Sequence, residues 1–218
     1  MNTMQKVGGY ATLLTCVLFV AILVIAFGVL GPQGVTPDAP ADIVLAVGAK
    51  SITPFQIDNL ITMLFSITLV LGALAVRDRL QGGAPNRMRV AVIAASVGSA
   101  LFLAGGIISF DGFPPIVAAN DLAAFRILSA VTQGLVNGAI FAFGLTGLLW
   151  AWAGLSTKGL PALLCYILLL AGVVAVLAFA IPIFGLLGVV INVVWAFWLG
   201  YVLLMQPATM AAQPKSTM

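Results

Sequence analysis

Six apolar runs, separated by shorter polar segments, set the pattern of the chain: 8–30, 57–76, 90–110, 126–152, 160–181 and 186–205. A helix that crosses the hydrocarbon core of a bilayer needs about 20 mainly apolar residues, and each run is near or above that length. The first run ends at Gly31-Pro32, a helix-stopping pair. The fourth is longer than a crossing requires, which predicts tilt or projection beyond the bilayer. The fifth breaks near Pro182 and the sixth starts at 186, so a tight uncharged turn should join them as an antiparallel hairpin. The pattern predicts an all-α polytopic membrane protein, with one six-helix transmembrane domain over 1–206 and a short polar tail over 207–218.

Two of the polar segments are long. The stretch 33–55 is punctuated by Pro37, Pro40 and Pro54, and within it Ile43, Val44 and Val47 fall on one side of a helical turn. That spacing predicts a short helix lying at the interface. The second long segment, 111–124, carries Pro114-Pro115, Asp121 and another small amphipathic patch. Both segments place prolines before an Ala-rich, Asp-bearing patch, a faint echo of a two-helix unit in a chain with no clean repeat. At the amino end a single charge, Lys6, precedes an apolar run about twice as long as the core of a cleavable signal. It is expected to stay as the first span.

Charge sets the orientation. The segment 77–89 holds Arg77, Arg79, Arg87 and Arg89, four of the nine Lys and Arg residues. Short loops rich in these residues remain in the cytoplasm. With the amino end inside, the inner segments hold seven basic residues (Lys6, Arg77, Arg79, Arg87, Arg89, Lys158 and Lys215) and the outer ones only Lys50 and Arg126. Both termini are therefore expected on the cytoplasmic side of the cell's inner (plasma) membrane.

Composition narrows the functions. The residues are 62% hydrophobic and 7% charged, against about 25% charged in an average soluble domain, and the mean hydropathy is +1.21. So few charges cannot cover a soluble surface of this size. A net charge of +3 spread over helix ends gives no basic face for nucleic acid. Histidine is absent, which removes the commonest metal ligand and the usual general base near neutral pH. Cys16 and Cys165 sit in apolar runs without a metal or redox spacing, and no lysine lies inside a span to form a retinal Schiff base. Gly8-Gly9, Gly82-Gly83 and Gly105-Gly106 lack the downstream Gly-Lys-Ser/Thr of a phosphate loop. No cofactor is expected. Nor is catalysis, for which only Asp58, Asp111 and Asp121 near the outer surface would remain.

Polar residues inside spans are the informative ones, because unpaired polar groups are expensive in hydrocarbon. On span two, Asp58, Thr62 and Ser66 recur every four residues; on span four, Arg126, Ser129, Gln133 and Asn137 share one face. Asn192 on span six reaches a similar depth. One reading is an outward-facing polar cleft between spans two, four and six, rimmed by Asp58 and Arg126, able to hold a lipid headgroup, a small solute or an amphipathic cofactor. The simpler reading is interhelical hydrogen bonding that holds the bundle, at about 0.6 kcal/mol per bond. Arg126, outside against the charge bias, calls for a carboxylate: Asp58 first, then Asp121 or Asp111.

Span four also carries a stripe of small residues, Ala130, Gly134, Gly138 and Ala142, that lets another backbone approach closely. Its partner is another span, with Ala91, Ala95 and Ser99 of span three as a match, or a different protein. Trp150, Trp152, Trp195, Trp198 and Tyr201 gather near the cytoplasmic ends of spans four and six. They read as an interfacial aromatic belt, with packing against a bound ring system as the sharper alternative.

The stretch Pro54-Phe55-Gln56-Ile57-Asp58-Asn59-Leu60 entering span two, followed by the basic loop with Asn86-Arg87, resembles a domain family of unknown function among small six-helix bacterial integral membrane proteins. In that family an aromatic residue followed by Arg often precedes the second span. Here Gln56 follows Phe55, so any role of that arginine does not carry over. The resemblance implies a six-helix fold and no activity. The functional expectation is a non-catalytic membrane subunit or accessory protein, working through helix–helix and lipid contacts with other membrane subunits. The alternative is a transporter or binding protein for a small solute or lipid, using the polar cleft.

Overall fold

A computed structural model of the chain describes residues 3–36, 39–178 and 183–206. Every regular element among them is helical: α1 (Thr3–Leu23), α2 (Ala41–Lys50), α3 (Thr53–Leu80), α4 (Pro85–Ala119), α5 (Leu122–Thr157), α6 (Ala162–Ala178) and α7 (Ile183–Met205). Beyond α1 the helix widens into a π-helical stretch, Val24–Leu30, and closes in a 3-10 turn, Gly31–Gln33. Four helices are long and apolar enough to cross a membrane: Thr3–Gln33, Thr53–Leu80, Pro85–Ala119 and Leu122–Thr157. Ala162–Ala178 and Val190–Met205 are apolar but shorter. The break at Pro182, Pro37 of the first long loop, and the tail 207–218 lie outside the described residues.

α3, α4 and α5 are longer than the apolar runs that mark them. α3 continues through Arg77 and Arg79 to Leu80, and α4 starts at Pro85, so the basic segment is mostly helix with Gln81–Ala84 as the turn. Basic side chains in the last turn of α3 favour this extension, because they meet the negative end of the helix dipole. Pro85 suits the first turn of α4, where its missing N–H has no partner to lose. The segment 111–124, expected as a loop, is also mostly helical, and α4 carries Pro114 and Pro115 inside it. Two prolines remove backbone donors there. Packing compensates: Phe113 is buried between Phe55 (4.8 Å) and Phe125 (5.8 Å), and its ring closes on Gly48 of α2. The turn to α5 is made at Asn120, in the left-handed conformation at φ 50°, and Asp121 caps α5 by accepting from the Ala124 N–H (2.9 Å). The short helix predicted within 33–55 is present as α2, which rests on the α4–α5 hairpin.

Neighbours in space are neighbours in sequence. α1 packs on α3, α3 on α4, α4 on α5, α5 on α6 and α6 on α7, and α7 returns to α1, so the six long helices close a ring. Small residues set each seam. Ala91, Gly98, Gly105 and Gly112 recur every seven residues along α4, and the last three face Phe143, Leu135 and Leu128 of α5, a coiled-coil-like interval. Gly144 and Gly147 of α5 cross Gly172 of α6 so closely that a Cβ at Gly172 would meet the Gly144 carbonyl oxygen at 2.8 Å. Thr15 of α1 donates to Thr68 of α3 (2.8 Å). Gly9 and Gly200 admit Leu204 and Leu13 across the α1–α7 seam.

Large side chains plug the basic end of the ring, where Val76, Leu80, Met88, Trp150, Leu164, Leu199 and Leu203 form the core. Arg79 seals that end. Its Nε donates to the Gly159 carbonyl (2.7 Å), and one terminal nitrogen donates to the carbonyls of Gln206 (2.8 Å) and Val202 (3.3 Å). One guanidinium thus ties α3 to the α5–α6 turn and to the end of α7. Replacing it should matter more than replacing its neighbour. Arg79→Ala is expected to lower stability by about 2 kcal/mol, the scale of hydrogen bonds to a charged group, while Arg77→Ala stays within about 0.5 kcal/mol. Thermal unfolding in detergent measures both.

Candidate functional site

Six helices in a ring cannot all touch at the centre. With neighbours about 8–10 Å apart, the axis lies about as far from each helix as its neighbours do, which leaves the width of a further helix. Bulky side chains fill that space at the basic end. Higher in the ring the inward positions are small, among them Ala95, Gly147, Ala171, Gly172, Ala175 and Ala196. A chamber of about 310 Å³ remains there, with walls from all six long helices.

Its walls are aromatic and uncharged. Phe19, Phe65, Phe102 and Phe143 come from four successive helices and touch in order, with ring centroids 5.8, 5.9 and 5.7 Å apart. Across from this arc, Trp150 and Trp195 meet edge to face at 6.1 Å. Polar groups are few. The Thr15 hydroxyl is satisfied by the Ala11 carbonyl and Thr68, and the Thr146 hydroxyl by the Ala142 carbonyl (3.0 Å). Asn192 differs. Its Oδ1 accepts from Trp195 Nε1 at 2.6 Å, and no described residue accepts from its Nδ2. Because the indole only donates, that bond fixes which end of the amide is oxygen. Trp150 Nε1 is buried without a hydrogen-bond partner.

The predicted polar residues are dispersed rather than gathered. Thr62 and Asn192 line the chamber. Ser66 is buried and bonded to the Met63 carbonyl of its own helix (2.6 Å). Arg126 and Gln133 point out of the ring, Ser129 and Asn137 are half-buried, and Gln133 donates to Asn137 along the same helix (2.9 Å). The expected cleft between spans two, four and six therefore does not form around Gln133 and Asn137. The reason is ring order: α4 stands between α3 and α5, so these two helices touch only marginally. The pairing of Arg126 with Asp58 fails for the same reason. Arg126 makes no ion pair with Asp58, Asp121 or Asp111, and one Asp58 oxygen is buried without a hydrogen bond.

The small-residue stripe divides. Ala142 is buried and Gly138 meets Leu101 of α4, whereas Ala130 is exposed and a Cβ at Gly134 would find open space. The matching Ala91, Ala95 and Ser99 are all buried on α4, which does pack on α5. The aromatic belt divides too. Trp152 and Tyr201 are exposed, and Arg87 sits 4.0 Å over the Trp152 ring while donating to Ser156 (2.8 Å). Trp150 and Trp195 turn inward. Residues two apart on a helix point to nearly opposite sides, so Trp150 and Trp152 were never able to serve one surface. Nothing comparable marked the phenylalanine arc, since phenylalanine inside a span reads the same whether it faces the ring or the lipid. Among the described residues no cluster of Cys, Asp or Glu is placed to hold a metal ion.

Compared with protein-family models, with curated proteins and with solved structures, the chain matches none.

Since Arg126 is exposed and has no ion pair among the described residues, Arg126→Ala should shift stability by no more than about 0.5 kcal/mol. Thermal melts of the two proteins side by side would expose a larger loss, and with it a hidden partner.

Proposed function

We propose that the protein is a six-span integral membrane protein, with both termini on the cytoplasmic side, that receives a lipid-soluble small molecule within its ring of helices. The role is binding or carriage rather than catalysis. One observation carries the reading: a 310 Å³ chamber with aromatic walls, closed at the basic end by large core side chains. Ligand sites generally fall in this form, concave and mainly apolar with a few placed polar groups, at about 300–1,000 Å³. The six-span count is supported by the walls, since the ring needs α6 and α7 as well as the four longer helices. Orientation rests on Arg77, Arg79, Arg87, Arg89 and Lys158 lying at one end of the bundle.

A second reading, an accessory subunit of a larger membrane complex, is favoured by the outward face of α5. There Gly134 is open and the Gln133–Asn137 amide pair is displayed to the surroundings rather than to the ring. Amides facing lipid are unfavourable until a neighbour takes up their remaining hydrogen bonds.

Two measurements test these statements. Cysteine placed at Gly82, where space is open, should react with a membrane-impermeant maleimide only after permeabilisation, whereas cysteine at Asn120 should react in intact cells. The reverse pattern inverts the orientation. For the chamber, native mass spectrometry of protein released from its own membrane should show an added neutral mass. Ala175→Phe, which fills the chamber wall, should lose that mass while keeping its elution volume. Identical bare masses for both proteins would remove the binding reading.

A further inference from the structure

We propose that the guest of the chamber is a neutral molecule of two or three fused or linked rings, presenting a carbonyl or ether oxygen to the Asn192 Nδ2 amide. This rests on the reading that the chamber binds a small molecule, and it names which kind.

Charge is decided by the walls. None of the described side chains that line the chamber is ionisable, and an ion in the middle of an apolar bundle would lack a counter-charge. Shape follows from the arc of Phe19, Phe65, Phe102 and Phe143, which offers ring faces and edges from four adjacent helices. Flat π-systems gain from offset or edge-to-face packing against such walls. Size follows from the volume. At about 310 Å³, the chamber is roughly twice the ~150 Å³ apolar cavity that holds one benzene. Two or three rings fill it; a long chain would have to leave it.

The polar preference comes from Asn192. Trp195 Nε1 holds the amide oxygen at 2.6 Å and so fixes the plane of the amide. The NH2 end is left without an acceptor among the described residues; of the chamber's other polar side chains, Thr15 and Thr146 are already bonded, and Thr62 offers a single hydroxyl on α3. A hydrocarbon guest would seal those N–H groups away from water with no partner. An oxygen-bearing guest of the same shape would satisfy one of them. Sites with a committed buried donor discriminate in this way against analogues that lack the matching group.

Benzophenone, a neutral diaryl ketone that inserts into nearby C–H bonds under near-ultraviolet light, serves as the probe for the purified full chain in detergent. Labelled peptides mapped by mass spectrometry should include the chamber walls, the 140–150 and 168–178 segments. Fluorenone should compete at a tenth or less of the concentration that fluorene, its carbonyl-free counterpart, requires. In Asn192→Leu that preference should fall to about one. Should this variant lose its monodisperse elution, Trp195→Phe, which frees the amide to turn, carries the test with a reduced preference. Chamber labelling with equal competition by fluorenone and fluorene would overturn the acceptor requirement and leave the chamber reading standing. Labelling confined to the lipid-facing surface would overturn both. A preference unchanged in the variants would remove Asn192 from the site.

Discussion

Everything in this bundle depends on the seam between α1 and α7. Four seams join consecutive helices through short connections, and the α1–α3 seam is bridged by the longer segment that carries α2. The sixth has no such help and forms by fit alone. Gly9 admits Leu204, Gly200 admits Leu13, and the Cys16 thiol reaches the Val193 carbonyl at 3.7 Å. In an apolar solvent there is little hydrophobic drive between helices, so close packing through small residues has to supply the attraction. Were α7 to drift, the wall that carries Asn192 and Trp195 would leave the chamber.

The two ends of the ring are built differently. At the basic end, leucine, methionine and tryptophan side chains meet at the axis, and Arg79 binds three carbonyls around it. At the other end α4 and α5 run on as a hairpin, 35 and 36 residues long. At a rise of about 1.5 Å per residue they far exceed the roughly 30 Å hydrocarbon layer. α2 and the Phe55, Phe113 and Phe125 cluster steady the projection. A rigid floor thus underlies a chamber whose upper surroundings are assembled from separate pieces.

Hydropathy made the all-α class, the four longest spans and α2 legible, because burial in lipid demands long apolar runs and an interfacial helix demands a one-sided pattern. It left the helix ends unmarked. Arg77 to Leu80 and Asp111 to Ala119 are polar or proline-bearing enough to read as loop, yet dipole interactions and aromatic packing keep them helical. Of the chamber's lining, Thr62 and Asn192 are two residues that the sequence marks as polar groups inside spans. Gln133 and Arg126 misled because spacing tells which residues share a face without telling which way that face looks. Direction is a property of the ring. The four phenylalanines carried no signal at all, since in a chain this apolar an inward ring and a lipid-facing ring are spelled alike.

The closing seam also has a consequence for how the protein is made. Its two halves lie far apart along the chain, so α1 leaves the ribosome long before α7 exists. At about 5–20 residues per second, some 10–40 seconds separate them. Through that interval Gly9 of α1 has no mate, although Gly8 already meets Ala75 of α3, and the half-built ring is an arc of helices open along one side to lipid. α7 is the keystone whose arrival turns an arc of helices into a closed ring.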